Sequence, residues 1–305
     1  MFSDHQPIFF FLLFASLLTF VVVLAASLFL KEPRIRTKLF ILPLVLPLLA
    51  VIYNYAIIRK DCSTFTIFSN LHWLCLMESK FRPVIVVIIS GSVLISLVCL
   101  IKRVVDYRRW SLLRNISNEN DTFFENVARI CREVNLPELK TLIVNTQTPV
   151  CAVYGIKEKM LVISSYLIEQ MEPEELKAII LHELAHVKRR DNLQFWLWSF
   201  LKDLLIFSPF AFISYLFYRN EVERDCDETA RQSLEGRGIF LASALIKFVR
   251  LQQSSPVSVG MAFVKGKAVE YRIKSILQNE PKDSWGFQTV SVIILLLFFS
   301  FNYLC

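Results

Sequence analysis

Two of the chain's four histidines stand four residues apart, in the pattern His182-Glu183-x-x-His186. On a helix this spacing puts both imidazoles on one face, within reach of a single metal ion, and sets Glu183 beside them. Zinc suits that arrangement. It lowers the pKa of a bound water to about 7, the glutamate takes the proton, and hydroxide attacks a peptide carbonyl. A zinc hydrolase needs a third protein ligand, and the acidic run "NEVERDCDETA", residues 220–230, offers candidates. Glu223 and Asp227 are four apart and share a helical face, so one carboxylate can bind metal while the other holds a ligand histidine from behind. Glu221 is a rival that points to a different face from Asp227. Cys226 is a softer rival, because thiolate binds zinc well, but it reads more simply as part of a buried wall. Either motif alone fits a surface helix; the pair together points to a metal site.

Elements that could position these residues are visible around them. Glu172-Pro173-Glu174-Glu175 puts a proline near a helix start and acids in its first turn, where the helix dipole favours them. The helix it opens carries the two histidines. Upstream, Phe123, Phe124, Val127, Ile130, Cys131 and Val134 recur at helical spacing behind Asp121, predicting a helix to Asn135. "TLIVN" and "MLVIS" are short β-branched runs separated by Pro149, Gly155 and the turn "KEK", which predicts a small antiparallel arrangement.

The rest of the chain is strongly apolar: 54% of its 305 residues are hydrophobic and the mean hydropathy is positive. Apolar runs long enough to cross a bilayer as helices occur at about 7–30, 39–58, 83–101 and 286–305. The first has Asp4 and His5 but no Lys or Arg ahead of it, so it reads as a retained anchor rather than a signal peptide. Basic clusters follow the first span (Lys31, Arg34, Arg36, Lys38) and the third (Lys102, Arg103, Arg108, Arg109). By the positive-inside rule both face the cytoplasm, which makes residues 103–285 the cytoplasmic body of a multi-pass protein of the cell membrane. The net charge of +7 is therefore explained by topology. No stripe of basic residues interleaved with aromatics points to direct nucleic-acid binding. Cys62 and Cys75 share the external loop of this topology, where an oxidising compartment permits a disulfide between them.

The combination of His-Glu-x-x-His, the following Lys-Arg-Arg-Asp-Asn, a proline-containing apolar stretch and Glu-x-x-Cys-Asp-Glu resembles the BlaR1/MecR1-type membrane metallopeptidases, family M56. The resemblance implies a mainly α polytopic membrane protein whose transmembrane helices carry a cytoplasmic α+β, gluzincin-type domain. It implies zinc ligands at His182, His186 and Glu223, with Glu183 as catalytic base and Asp227 behind a ligand. The segment "TPVCAVYGIKEKMLVISSYL" is similar to the family's stretch before the zinc helix, where a hairpin edge can receive an extended substrate. The implied activity is regulated endoproteolysis at the cytoplasmic face, acting on the chain itself or on a DNA-binding repressor. The expected partners are that substrate and the lipid bilayer, with a homodimer as a further option. The family's antibiotic sensors continue past the last helix into a penicillin-binding domain, whereas this sequence stops at Cys305. The expectation is a peptidase that does not itself acylate a β-lactam. Two alternatives are a quality-control protease of the HtpX type and a non-catalytic zinc scaffold; Glu183 argues against the scaffold. Tyr218 and Arg219 are nearby candidates for stabilising an oxyanion.

If Glu223 is the third ligand, a topological consequence follows. Residues 193–218 have the hydropathy of one spanning helix, yet His186 precedes them and Glu223 follows. A hydrocarbon core about 30 Å thick cannot separate two ligands of an ion bound at about 2 Å. The stretch must enter and return on one side. Pro209 supplies the break, and Lys202 with Asp203 makes a continuous lipid-exposed span costly. The expectation is a membrane-embedded helical hairpin at about 193–218 and four full crossings.

Overall fold

The computed structural model describes residues 8–53, 72–113, 121–253 and 262–278. The expected final span at 286–305 and the pairing of Cys62 with Cys75 fall outside what is described. The chain divides into two compact units. The described parts of the first are residues 8–53, 72–101 and 197–221; those of the second are 102–113, 121–196, 222–253 and 262–278.

In the first unit, α1 (Ile8–Phe29) buries Leu12, Ala15, Ser16, Thr19, Phe20, Val23 and Ser27. Steps of three and four make that a single helical stripe, and Phe14, Val21, Leu24 and Leu28 on the other side are exposed, as suits contact with lipid. The basic stretch after α1 is not an open loop. Pro33 starts a short helix, α2 (Pro33–Leu39), and a turn at Phe40 and Ile41 leads into α3 (Leu42–Tyr53). The helix α4 (His72–Leu113) is longer than its apolar centre, because polar residues at either end continue the same helical hydrogen bonding. Three stretches among the described residues are long and apolar enough to cross a membrane: Ile8–Phe29, Pro33–Tyr53 and Lys80–Arg108.

Between Leu204 and Pro209 the chain turns. The helix α8 (Asp191–Leu204) ends there, and α9 (Pro209–Ser233) starts at the proline, whose missing N–H costs nothing at a first helical position. Ser199 and Tyr215 hydroxyls meet at 2.6 Å, so the arms on either side of the turn run back along each other. Other partners of the arms come from the same unit: Ser208 meets Ser16 at 2.6 Å, Ser214 donates to the Phe40 carbonyl at 2.7 Å, and Phe217 stacks on Phe40. Polar side chains satisfied inside an apolar bundle hold the hairpin more specifically than apolar packing alone.

The second unit is built on α7 (Pro173–Arg189). Glu172 and Glu175 form a reciprocal capping box at its start, so two otherwise unpaired backbone donors are met. The helix is buried almost all round and packs in one core with α5 (Asp121–Glu133), α10 (Gly238–Gln253) and α11 (Ala262–Leu277). Against it lies a three-stranded sheet of β1 (Lys140–Val144), β2 (Cys151–Tyr154) and β3 (Met160–Ser164), in the order β1-β3-β2. A six-residue helix, α6 (Ser165–Gln170), joins β3 to α7. The expected antiparallel pairing of "TLIVN" with "MLVIS" is corrected. Those two strands are parallel, and β3 takes its antiparallel partner from β2, "CAVY". The four-residue β2 is too short to show a pattern of its own, and the turn that follows it sets the hairpin. Gly155 at φ 101° makes that turn; a Cβ there would strike the Glu158 carbonyl oxygen.

Candidate metal centre

All the groups that matter here lie in the second unit. His182 and His186 sit one turn apart on α7, with ring centroids 5.0 Å apart and planes nearly perpendicular. Both turn Nε2 towards the carboxylate of Glu223 on α9: His182 Nε2 is 3.5 Å from Oε2 and His186 Nε2 is 3.9 Å from Oε1. One ligand atom from each of the three falls within 4.8 Å of the others. The opposite ring nitrogens each face a carboxylate. Asp227 Oδ1 is 2.9 Å from His182 Nδ1, and Asp191 Oδ2 is 2.7 Å from His186 Nδ1. Carboxylates behind both rings fix the tautomer and direct Nε2 to a common point.

Glu183 faces the sheet. Its Oε2 accepts a hydrogen bond of 3.2 Å from the Val153 backbone N–H on the edge strand β2. Asn192, at the start of α8, fastens the same edge by donating to the carbonyls of Val153 (3.0 Å) and Gly155 (2.8 Å). Glu183 is thus held between the histidine helix and the edge strand of the sheet.

Arg272 on α11 is the main cation behind the acids. It makes two 2.7 Å contacts to Asp227 and one of 3.1 Å to Glu223. The charges respond to one another. Burial opposes ionisation of Glu223, but the hydrogen bond from His182 and the charge of Arg272 win and hold it well below the usual carboxylate range. Burial likewise disfavours a charged His182, yet Asp227 and Glu223 push it up to about 10. Burial is the main reason Glu183 is raised above an ordinary glutamate, partly offset by the two histidines. Carboxylates therefore outnumber local cations, and a proton on His182 fills the deficit. A divalent cation between the two Nε2 atoms and Glu223 would replace that proton, which is the sense in which the donor set fits a metal of zinc's preferences.

The remaining candidates are placed as follows. Glu221 leaves the group altogether: it pairs with Arg36 at 3.2 Å inside the first unit. Cys226 is fully buried, with its sulfur 3.4 Å from His186 Nδ1 and 3.6 Å from Asp191 Oδ2. Burial and then Asp191 raise its thiol well above the normal value, which keeps it protonated. Tyr218 is wholly buried beside Tyr215 in the first unit. Spacing alone gives no role to Asp191, Asn192 or Arg272. The first two lie in the quoted "KRRDN", but their roles depend on Arg190, whose left-handed φ of 61° ends α7 and turns Asp191 back towards His186. No spacing rule connects Arg272 to Asp227.

Residues 76–276, more than half of the chain, match the family described as BlaR1 peptidase M56. The methicillin resistance protein MecR1 of Staphylococcus aureus is 24% identical over 208 residues, covering 65% of this chain and 35% of MecR1. The match thus spans about a third of that relative's length. The protease HtpX homolog 2 of Methanosarcina mazei is 32% identical over 83 residues, 27% of this chain and 28% of that protein. The crystal structure of Ste24p from S. mikatae superposes with a TM-score of 0.39 at 13% identity, covering 76% of this chain and 72% of that one.

Proposed function

The chain belongs to the BlaR1 peptidase M56 family, and from that membership and the geometry at Glu223 we propose that it is a zinc-dependent endopeptidase cleaving proteins at the cytoplasmic membrane face. The observation that carries the reading is the convergence of both Nε2 atoms on one carboxylate while each Nδ1 atom faces another acid. His182, His186 and Glu223 would hold the ion. When bound, zinc supplies Lewis acidity that eases ionisation of water and polarises a substrate carbonyl.

The chain's own residues do the rest. Glu183 takes the proton from the attacking water at a carboxylate oxygen and returns it to the departing amine. Its elevated pKa suits both halves of that exchange. Asp227 and Asp191 keep the imidazoles oriented, and Arg272 holds Asp227 in place. β2 is the edge strand beside Glu183, and an extended substrate pairing with it would take over the Val153 groups now bonded to Glu183 and Asn192.

The biological role that fits is regulated signalling by self-cleavage or by removal of a transcriptional repressor. The higher local identity to the HtpX homologue favours a second reading, a protease acting on misfolded membrane proteins. Comparing new protein N-termini in cells carrying the wild type and Glu183→Gln tests the proposal. Termini present only with the wild type support it, and their identities separate the two roles. Identical sets of termini would count against both.

A further inference from the structure

Beside the metal centre lies a cavity of about 350 Å³ whose polar lining is strongly cationic. It sits where the β2–β3 turn approaches the junction of α7 and α8. His186 and Val153 form its inner wall, Leu193 adds an apolar side, and Lys157, Lys159 and Arg190 supply charge. No aspartate or glutamate is among the lining residues.

The acceptors nearby are already in use. Asn192 donates to the carbonyls of Val153 and Gly155, and Lys159 Nζ donates to the Val187 carbonyl at 2.6 Å. Asp191, whose charge acts on Lys159, is committed to His186 and Arg189. Burial and then the charge of Arg190, partly offset by Asp191, hold the Lys159 pKa below the ordinary lysine value, so the two cations stand close enough to repel. A lysine or arginine side chain entering this space would meet like charge and occupied carbonyls. A carboxylate would meet several unshared donors.

We propose that this cavity is a subsite for a carboxylate of the peptide substrate, either an Asp or Glu side chain close to the scissile bond or the substrate's C-terminal carboxylate. The inference rests on the peptidase reading, because His186 and the β2 edge make whatever fills the cavity continuous with whatever lies at the metal centre. Lys157 and Arg190, both exposed at the rim, would recognise the charge, and the Lys159 ammonium would meet it deeper in.

The test uses the full chain in nanodiscs, loaded with zinc and carrying Glu183→Gln to prevent turnover. The probes are fluorescent decapeptides scanned with Glu, Gln or Lys at each position, with either a free or an amidated C-terminus. The expected result is at least tenfold tighter binding for Glu over Gln and Lys at one position, or for the free over the amidated terminus. The two arms identify which carboxylate is held. Lys157→Glu with Arg190→Glu should invert the preference towards Lys, and the milder Lys157→Gln with Arg190→Gln should abolish it at an unchanged unfolding temperature. Equal binding of all peptides would overturn the subsite. So would a preference that survives charge reversal, or one lost when phosphatidylglycerol replaces neutral lipid, which would make the cavity a lipid-headgroup site. Cleavage of the same peptides by the Glu183 form is measured in parallel. Cleavage without preference sinks the subsite alone, whereas preference without cleavage sinks the peptidase reading alone.

Discussion

His186 Nδ1 lies 2.7 Å from Asp191 Oδ2, across a left-handed residue, Arg190, that folds the chain back onto the end of α7. A carboxylate in that position raises the basicity of the opposite nitrogen and fixes the ring. Asp191→Ala should therefore lower zinc affinity about 10- to 100-fold while the fold persists. Competition against a zinc-binding dye measures it. Unaltered affinity would mean that the ring is oriented by packing alone.

Arg272 joins Asp227 and Glu223 at distances of 2.7 and 3.1 Å, and its removal leaves the buried Asp227 and the half-buried Glu223 facing mainly His182. Arg272→Gln should destabilise the metal-free protein by about 3–5 kcal/mol, as expected when one partner of a buried charge group is lost. Added zinc should recover part of that loss. The unfolding temperature with and without zinc reports both effects, and a variant as stable as the wild type without metal would contradict the role given to Arg272.

Glu175 ties the start of α7 to α10. Its carboxylate accepts from Ser243 at 2.6 Å and Lys247 at 2.7 Å as well as from the Glu172 backbone. Burial alone would raise its pKa, but the hydrogen bonds from Lys247 and Ser243 prevail and lower it. A depressed folded-state pKa stabilises the protein fully above the unfolded value of about 4.3 and loses that contribution as pH falls below it. Glu175→Gln should be less stable than the wild type at pH 7, by about 1–3 kcal/mol, and the gap should narrow in acid. Unfolding curves at pH 7 and pH 4 check the sign; a gap that widens in acid would refute it.

The turn between Leu204 and Pro209, with Ser199 against Tyr215, brings the chain back on itself. Leu193→Cys and Asn220→Cys should both react with an impermeant thiol reagent from the same face of the membrane, the cytoplasmic one. Reaction from opposite faces would exclude Glu223 as a partner of His186 in one ion.

The parts of this architecture that sequence made legible are local ones. Two histidines four apart, and two acids four apart, share helical faces whatever surrounds them. Pro173 and the glutamates around it mark a helix start through backbone chemistry alone, and the stripe from Leu12 to Ser27 reports a buried face by its period. What sequence hid depends on distant or left-handed backbone. The strand β2 exists because β3 pairs with it, not because "CAVY" demands a strand, and that pairing reversed the expected relation of β1 to β3. Asp191 reaches His186 only through the conformation of Arg190. Arg272 lies 45 residues beyond Asp227 and meets it only through the packing of α11 against α9.

In the proposed chemistry Glu183 moves the proton while His182, His186 and Glu223 hold the metal. The most direct measurement is zinc content together with peptide cleavage in purified wild type and Glu183→Gln. One zinc per chain is expected in both proteins, with cleavage in the variant reduced by about 10²- to 10⁴-fold, the usual contribution of a general base. Cleavage by Glu183→Gln at the wild-type rate with zinc retained would contradict it.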